Sequence, residues 1–191
     1  GTTSDEYRLW SEFEPYYLNL NKEGFFKRLK KIFKKSSVDK IANIYLSNNY
    51  EGNIYKHALS DLMTDWTFGM HALELLEQHK ARSYGYFFNE LSPLLDGKLG
   101  AYHASELPYL FGSANRKIFK DFCSNSQEEI SNFFQVSWTQ FAKTGSPTSK
   151  LMDWHVYKSN SSVVCINSTP KIQTFQNKDR IKLLNESKIK F

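Results

Sequence analysis

The sequence predicts a mixed α/β fold that is mostly helical and carries about three short strands. Three observations support this prediction. Apolar residues recur at helical spacing in several segments, one short aromatic run has the composition of a strand, and two further short runs flank a proline turn. With 15 Phe, 11 Tyr and 4 Trp among 191 residues, the chain has enough large apolar surface for a packed core, which argues against a disordered chain.

The first expected helix covers residues 21–35 and is strongly basic. Its apolar side chains share one face, and the remainder is filled by Lys22, Lys27, Arg28, Lys30, Lys31, Lys34 and Lys35. Such a face can attract the phosphates of a membrane or a nucleic acid, but a solvated face over a packed apolar stripe is more common. We therefore expect no nucleic acid partner and no membrane partner, and docking on an anionic surface is the alternative.

Two more helical segments follow. Ser36 and Asp39 have the spacing of a capping box, which predicts a short helix over residues 38–46. A longer helical pattern covers residues 54–79, and Gly69 within it predicts a break or bend.

The aromatic run at residues 83–88 is the best strand candidate in the chain. A lone strand between helices cannot satisfy its own backbone donors and acceptors. We therefore expect it to pair with strands that this chain does not contain. A loop should follow at residues 92–100, where proline and glycine recur.

The last third of the chain should hold one long helix, two strands and a short final helix. The helical pattern at residues 126–143 ends at a glycine and a proline, as helices commonly do. Residues 162–166 and 171–175 then predict two strands around a turn, and residues 179–186 predict the final helix.

Composition excludes several classes of protein. The excess of 25 basic over 20 acidic residues is modest, and no run approaches the ~18 apolar residues of a membrane-spanning helix. Cys123 and Cys165 lie too far apart in sequence for a CxxC motif, so they form one disulfide bridge or none. The histidines show no zinc-ligand spacing, and we predict no metal and no other cofactor.

Two segments carry a more specific signal, GTTSDE at residues 1–6 and GAYHASELPYLFG at residues 100–112. They resemble the C-terminal part of the type-B carboxylesterase/lipase family, the cholinesterase-like branch of the α/β-hydrolases. In that family the glutamate of a G-[TS]-x-x-[DS]-E segment is the acid of a Ser-Glu-His triad, and Glu6 matches it. The family's histidine opens an H-x-x-E-[LI]-x-[FY]-[LV]-F-G segment, and His103 matches it. Glu106 matches the glutamate that supports the histidine loop there, and a solvated acid at a helix start is its alternative.

The resemblance covers almost the whole chain except the basic segment. Residues 138–147 match a W-x-x-F-A-x-x-G-x-P helix end, residues 154–157 match W-x-x-Y, and residues 62–65 match a segment before a family helix. The resemblance implies that residues 1–191 are the C-terminal portion of an α/β-hydrolase domain.

The resemblance also implies a chemistry. A serine hydroxyl needs a histidine to accept its proton, and a carboxylate on the other ring nitrogen fixes the tautomer of that histidine. No G-x-S-x-G nucleophile elbow occurs in the chain, and the glycine-rich oxyanion segment is also missing. We therefore expect a small-molecule ester substrate, a missing N-terminal portion that supplies the serine, and no activity from this chain alone. A non-catalytic cholinesterase-like module for adhesion or partner binding is the alternative.

Overall fold

The computed structural model describes residues 1–157, 162–175 and 177–189. The chain forms two compact units. The first unit combines Gly1–Glu6 with Glu74–Gln176, and the second combines Tyr7–Leu73 with Asn177–Phe191.

The elements occur in the following order. The strands of the described residues are β1 (Thr2–Thr3), β2 (Tyr86–Phe88), β3 (Ser162–Ile166) and β4 (Lys171–Thr174). The α-helices are α1 (Arg8–Ser11), α2 (Pro15–Leu18), α3 (Lys22–Ile32), α4 (Val38–Leu46), α5 (Ile54–Thr64), α6 (Met70–Gln78), α7 (Leu107–Leu110), α8 (Gln127–Thr144) and α9 (Lys178–Ser187). The long predicted helices and the two late strands are confirmed within a few residues, whereas β1, α1, α2 and α7 are absent from the sequence predictions.

The four strands form one sheet in the order β1-β2-β3-β4. The first two pairings are parallel, with Phe87 opposite both Thr2 and Cys165, and β3 pairs antiparallel with β4. The expectation that the aromatic strand pairs only with strands outside the chain is therefore wrong, because β1 and β3 flank β2 on both sides. Parallel partners lie far apart in sequence, and no local turn signal reveals them.

The first unit packs its core between the sheet and α8. Phe134 of α8 is fully buried, and its ring lies 5.9 Å from that of Phe88 on β2. The helix ends as predicted at Gly145, whose φ of 73° is in the left-handed region that glycine adopts without strain. Cys123 and Cys165 both belong to this unit as buried free thiols, so the disulfide left open by the sequence is not formed.

The second unit is helical, and its core lies where the apolar faces of its helices meet. Phe25 and Leu29 of α3 are fully buried, as are Ile41 on α4 and Leu59 on α5. Burial of each such side chain stabilises the unit by about 1.5–3 kcal/mol. The predicted capping box is wrong, because a 3-10 turn at Lys35–Ser37 leads into α4 and no side chain caps its first turn.

A π-helical turn at Asp65–Gly69 joins α5 to α6, where the sequence predicts a bend. A Cβ atom at Gly69 would lie 2.9 Å from Ile181 Cδ1 on α9, so a larger residue there would displace the end of this isoleucine side chain. At the other end of the turn, the buried Asp65 carboxylate accepts hydrogen bonds from the Tyr45 hydroxyl at 2.7 Å and from Arg180 Nε at 2.6 Å. This network fastens α9 to α4 and to the turn.

In the described ranges, every helix falls short of the length and apolarity that crossing a membrane requires.

Candidate active site

Glu6 lies in the turn that follows β1. The Ser4 backbone N–H donates to the Phe88 carbonyl at 2.9 Å, so the sheet sets the direction of this turn. The turn brings the Glu6 side chain back under the strand, where the Thr3 backbone N–H donates to Glu6 Oε1 at 2.8 Å. Glu6 is 5% exposed, so it is not a solvent-exposed surface acid.

His103 lies in the loop between β2 and α7. Gly100, three residues before the histidine in this loop, has a φ of 60°, and a Cβ atom there would collide with the carboxylate of Asp5. Ala104, directly after the histidine, has a φ of 66° although it is not a glycine. Such a conformation is uncommon for alanine and costs about 1–2 kcal/mol, and strain of this kind concentrates at functional sites.

The structure brings Glu6 and His103 together. His103 Nδ1 lies 2.7 Å from Glu6 Oε2, which is the distance of a strong charge-assisted hydrogen bond. The carboxylate side chain is 6% exposed and the imidazole 44% exposed. A buried carboxylate thus fixes one nitrogen of a ring that reaches the surface of the unit, which is the arrangement a general base requires.

Asp5 ties the loop of the acid to the loop of the histidine. Its backbone N–H donates to the Ala101 carbonyl at 3.0 Å, and its Oδ2 accepts the Ala101 N–H at 3.1 Å. The Ser4 hydroxyl contacts Asp5 Oδ2 at 2.8 Å and Asn89 Oδ1 at 2.9 Å. We call this two-bond bridge between Asp5 and Ala101 the loop clamp. Sequence reasoning assigned no role to Asp5, although Asp5 fills the [DS] position of the motif that contains Glu6.

Glu106 lies at the start of α7 in the same unit. Burial raises its pKa above the ordinary carboxyl value, and the charge of Glu6 raises it further. Burial and the carboxylates of Glu106 and Glu6 also raise the pKa of the Tyr86 phenol. Among the described residues, no hydrogen-bond partner lies within reach of the buried Glu106 Oε2 atom. The charges of Glu6 and His103 act on the Glu106 carboxyl in opposite directions, because Glu6 raises its pKa and His103 lowers it.

Among the described residues, no group of three or more His, Cys, Asp or Glu side chains is close enough together to hold a metal ion.

Comparison with known proteins gives a consistent result. A sequence model described as the carboxylesterase family matches residues 4–184. Phenmedipham hydrolase of Pseudarthrobacter oxydans is 25% identical over 173 residues, which cover 87% of this chain and 34% of that protein. Para-nitrobenzyl esterase of Bacillus subtilis (strain 168) is 29% identical over 161 residues, which cover 82% of this chain and 31% of that protein.

Solved structures agree with the sequence comparisons. A structure of PNB esterase matches with a TM-score of 0.70 at 25% identity, covering 96% of this chain and 37% of that one. A carboxylesterase of Geobacillus stearothermophilus matches with a TM-score of 0.77 over 95% of this chain and 38% of that one, and its 20% identity speaks for the fold alone. The fold is thus mixed α/β, mostly helical with a small sheet, and corresponds to a portion of the α/β-hydrolase carboxylesterase structures. The chain spans about a third of the length of the curated relatives it matches.

Proposed function

Because the chain belongs to the carboxylesterase family, we propose that Glu6 and His103 are the acid and the histidine of a Ser-Glu-His triad that hydrolyses carboxylic esters. The serine and the oxyanion donors come from an N-terminal portion of the same protein, and residues 1–191 form the C-terminal portion of the α/β-hydrolase domain. The substrate is a small-molecule ester.

One observation carries this proposal, the 2.7 Å contact between His103 Nδ1 and Glu6 Oε2. The two residues are 97 positions apart in sequence, and two separate motifs select them. The acid also precedes the histidine along the chain, which is the order of an α/β-hydrolase triad. The length of the chain relative to the curated relatives supports the missing nucleophile, because about two thirds of each relative has no counterpart here.

The mechanism follows from which nitrogen faces the acid. With the proton on Nδ1, the ring donates to Glu6 and its Nε2 is the basic nitrogen. That nitrogen accepts the serine proton as the hydroxyl attacks the ester carbonyl, and it returns the proton to the leaving alcohol. The Glu6 carboxylate stabilises the imidazolium formed between these two steps without taking the proton itself. Water then attacks the acyl-enzyme by the same base catalysis.

The remaining contacts fix the positions of Glu6 and His103 relative to each other. The Thr3 N–H occupies the second oxygen of Glu6, so the carboxylate cannot rotate away from the ring without losing that bond. The loop clamp keeps the histidine loop at a fixed distance from the acid. Such preorganisation matters because small displacements of a base can lower the rate about 10²-fold.

The experiment compares hydrolysis of a short-chain nitrophenyl ester by this chain and by the complete protein. We expect turnover only from the complete protein, and we expect His103→Ala to reduce it to the residual level of a triad lacking one member. His71→Ala is the matched control, since this exposed histidine lies in the helical unit and bonds to the Thr67 carbonyl. Serine-type turnover by the isolated chain, or full activity of the His103→Ala protein, would contradict the proposal. A complete protein without turnover would favour the binding or adhesion module instead.

A further inference from the structure

The basic residues of this chain are concentrated in one segment. Between Lys22 and Lys40 lie eight of the 25 basic residues but only two of the 20 acidic residues, Glu23 and Asp39. This segment therefore carries a charge of +6, whereas the rest of the chain together carries −1. The net charge of +5 is thus a local property, which indicates an anionic partner for this segment rather than general solubility.

The structure places these cations on one exposed surface of α3. The opposite face of the helix is anchored, since Phe25 and Leu29 are fully buried in the helical unit. Glu23 is exposed on this helix, and the exposed lysines on it and just beyond it are Lys22, Lys27, Lys30, Lys31, Lys34 and Lys35. We call them the basic face. In the described part of the chain, no carboxylate forms an ion pair with Lys27, Lys30 or Lys31.

A groove at the edge of the basic face collects several of these cations. It has a volume of about 420 Å³ and is lined by Tyr16, Asn21, Glu23, Gly24, Lys27, Arg28 and Lys31. The Nε atom of Arg28 is buried there, and no acceptor among the described residues bonds to it. A buried guanidinium N–H without an acceptor is costly, and an anionic oxygen in the groove would satisfy it. The groove therefore has the chemistry of a phosphate site.

Apolar side chains lie exposed in the segment that precedes α3. Phe13 is 58% exposed, Tyr16 50% and Leu18 47%. Tyr16 lines the same groove as Lys27 and Lys31. Aromatic and aliphatic side chains next to lysines are typical of protein segments that lie in a membrane interface, where rings enter the headgroup region and lysines contact phosphates.

We propose that the basic face is a docking surface for membranes that contain anionic phospholipids. A lipid phosphate occupies the groove against Arg28, Lys27 and Lys31. Phe13 and Leu18 enter the boundary between headgroups and acyl chains. A nucleic acid would also pair its phosphates with these cations. However, it offers no apolar environment into which the exposed Phe13 and Leu18 could insert. The docking does not depend on ester hydrolysis.

Vesicle binding tests this proposal both with the complete protein, in which the N-terminal portion is in place, and with this chain. We measure co-sedimentation with phosphatidylcholine vesicles that either contain or lack phosphatidylglycerol. Each lysine near an anionic surface strengthens binding by about fivefold, or about 1 kcal/mol. The triple variant Lys27→Gln, Lys30→Gln and Lys31→Gln should therefore lose at least about tenfold in partitioning to the anionic vesicles, and added salt should weaken binding of the parent chain.

The matched control removes the same charge elsewhere. The control triple variant replaces three exposed lysines of the other unit, Lys117→Gln, Lys120→Gln and Lys143→Gln. Its partitioning to the anionic vesicles should fall by less than about threefold. Phe13→Ser should weaken binding that persists at high salt. Equal loss in the two triple variants, or no preference for the anionic vesicles, would overturn the proposal. So would tight binding of duplex DNA that depends on the basic face while vesicle binding does not.

Discussion

Glu6→Gln keeps the shape of the acid but changes what it offers to its two neighbours. The carboxylate accepts the Thr3 N–H at 2.8 Å and faces His103 Nδ1 at 2.7 Å, so two donors converge on its two oxygens. Glutamine has one oxygen and one NH₂ group. The NH₂ group must therefore face one of the two donors, and the site cannot satisfy both.

Both placements of the amide have a calculable cost. Facing Thr3, the NH₂ group opposes a backbone N–H and one charge-assisted hydrogen bond is lost, which lowers the free energy of unfolding by about 2 kcal/mol. Facing His103, it donates to Nδ1, so the ring proton moves to Nε2 and the base can no longer accept the serine proton. A wrong tautomer of this kind lowers kcat by about 10⁴-fold.

Two assays measure these effects. Urea unfolding of this chain gives the change in stability, and hydrolysis of a nitrophenyl ester by the complete protein gives kcat. Glu90→Gln is the control, because the Glu90 carboxylate also accepts a backbone N–H, from Ser168 at 2.9 Å, but this bond leads to the connection between β3 and β4 rather than to Glu6 or His103. A Glu6→Gln protein that keeps both its unfolding free energy and its kcat, the latter within about tenfold of the parent, would refute the reasoning, because each placement of the amide must cost one or the other.

Three further changes test other parts of the structure. Asp5→Asn should weaken the loop clamp, because a neutral amide oxygen is a poorer acceptor than a carboxylate. We expect the unfolding free energy to fall by about 1–2 kcal/mol and kcat to fall with little change in KM. Asp96→Asn, at an exposed position, is the control and should change neither the unfolding free energy nor kcat. Arg180→Met leaves the Asp65 carboxylate buried without its cation, which should cost about 3–5 kcal/mol in chemical denaturation. Because burial raises the pKa of Asp65, that cost should shrink as the pH falls and the carboxyl group is protonated. Burial also raises the pKa of Glu106, so the folded state binds the carboxyl proton more tightly than the unfolded state does. The protonated carboxyl group therefore adds stability at low pH, and this contribution is lost as the pH rises through the raised pKa. Glu106→Gln should therefore gain stability relative to the parent as the pH rises, measured by thermal unfolding across a pH series.

Sequence reasoning succeeded where the signal is local. The pattern at residues 126–143 predicts α8 because a helix that packs one face on a sheet repeats its apolar residues every three or four positions. The sequence likewise predicts Glu6 and His103 as site residues because each lies in a motif of adjacent residues, and their catalytic roles stay a prediction. The expectation that the two residues meet in space comes from the family resemblance alone, because nothing in either segment specifies its distance from the other.

What the sequence did not predict depends on residues that are distant along the chain. β1 has two residues, Thr2 and Thr3, and it exists because Phe87 and Phe88 lie beside them. The loop clamp likewise requires Asp5 to meet Ala101 across 96 positions. No periodicity marks such contacts, because their spacing is set by the whole of the intervening fold.

A double-mutant cycle between Glu6 and His103 tests the central claim most directly. The complete protein is compared with Glu6→Ala, His103→Ala and the double variant, with kcat for a nitrophenyl ester as the readout. If the two side chains act as one unit, the double variant should be no slower than His103→Ala alone. Losses that multiply, so that the double variant shows the product of the two single effects, would mean that the two residues act independently and would contradict the triad.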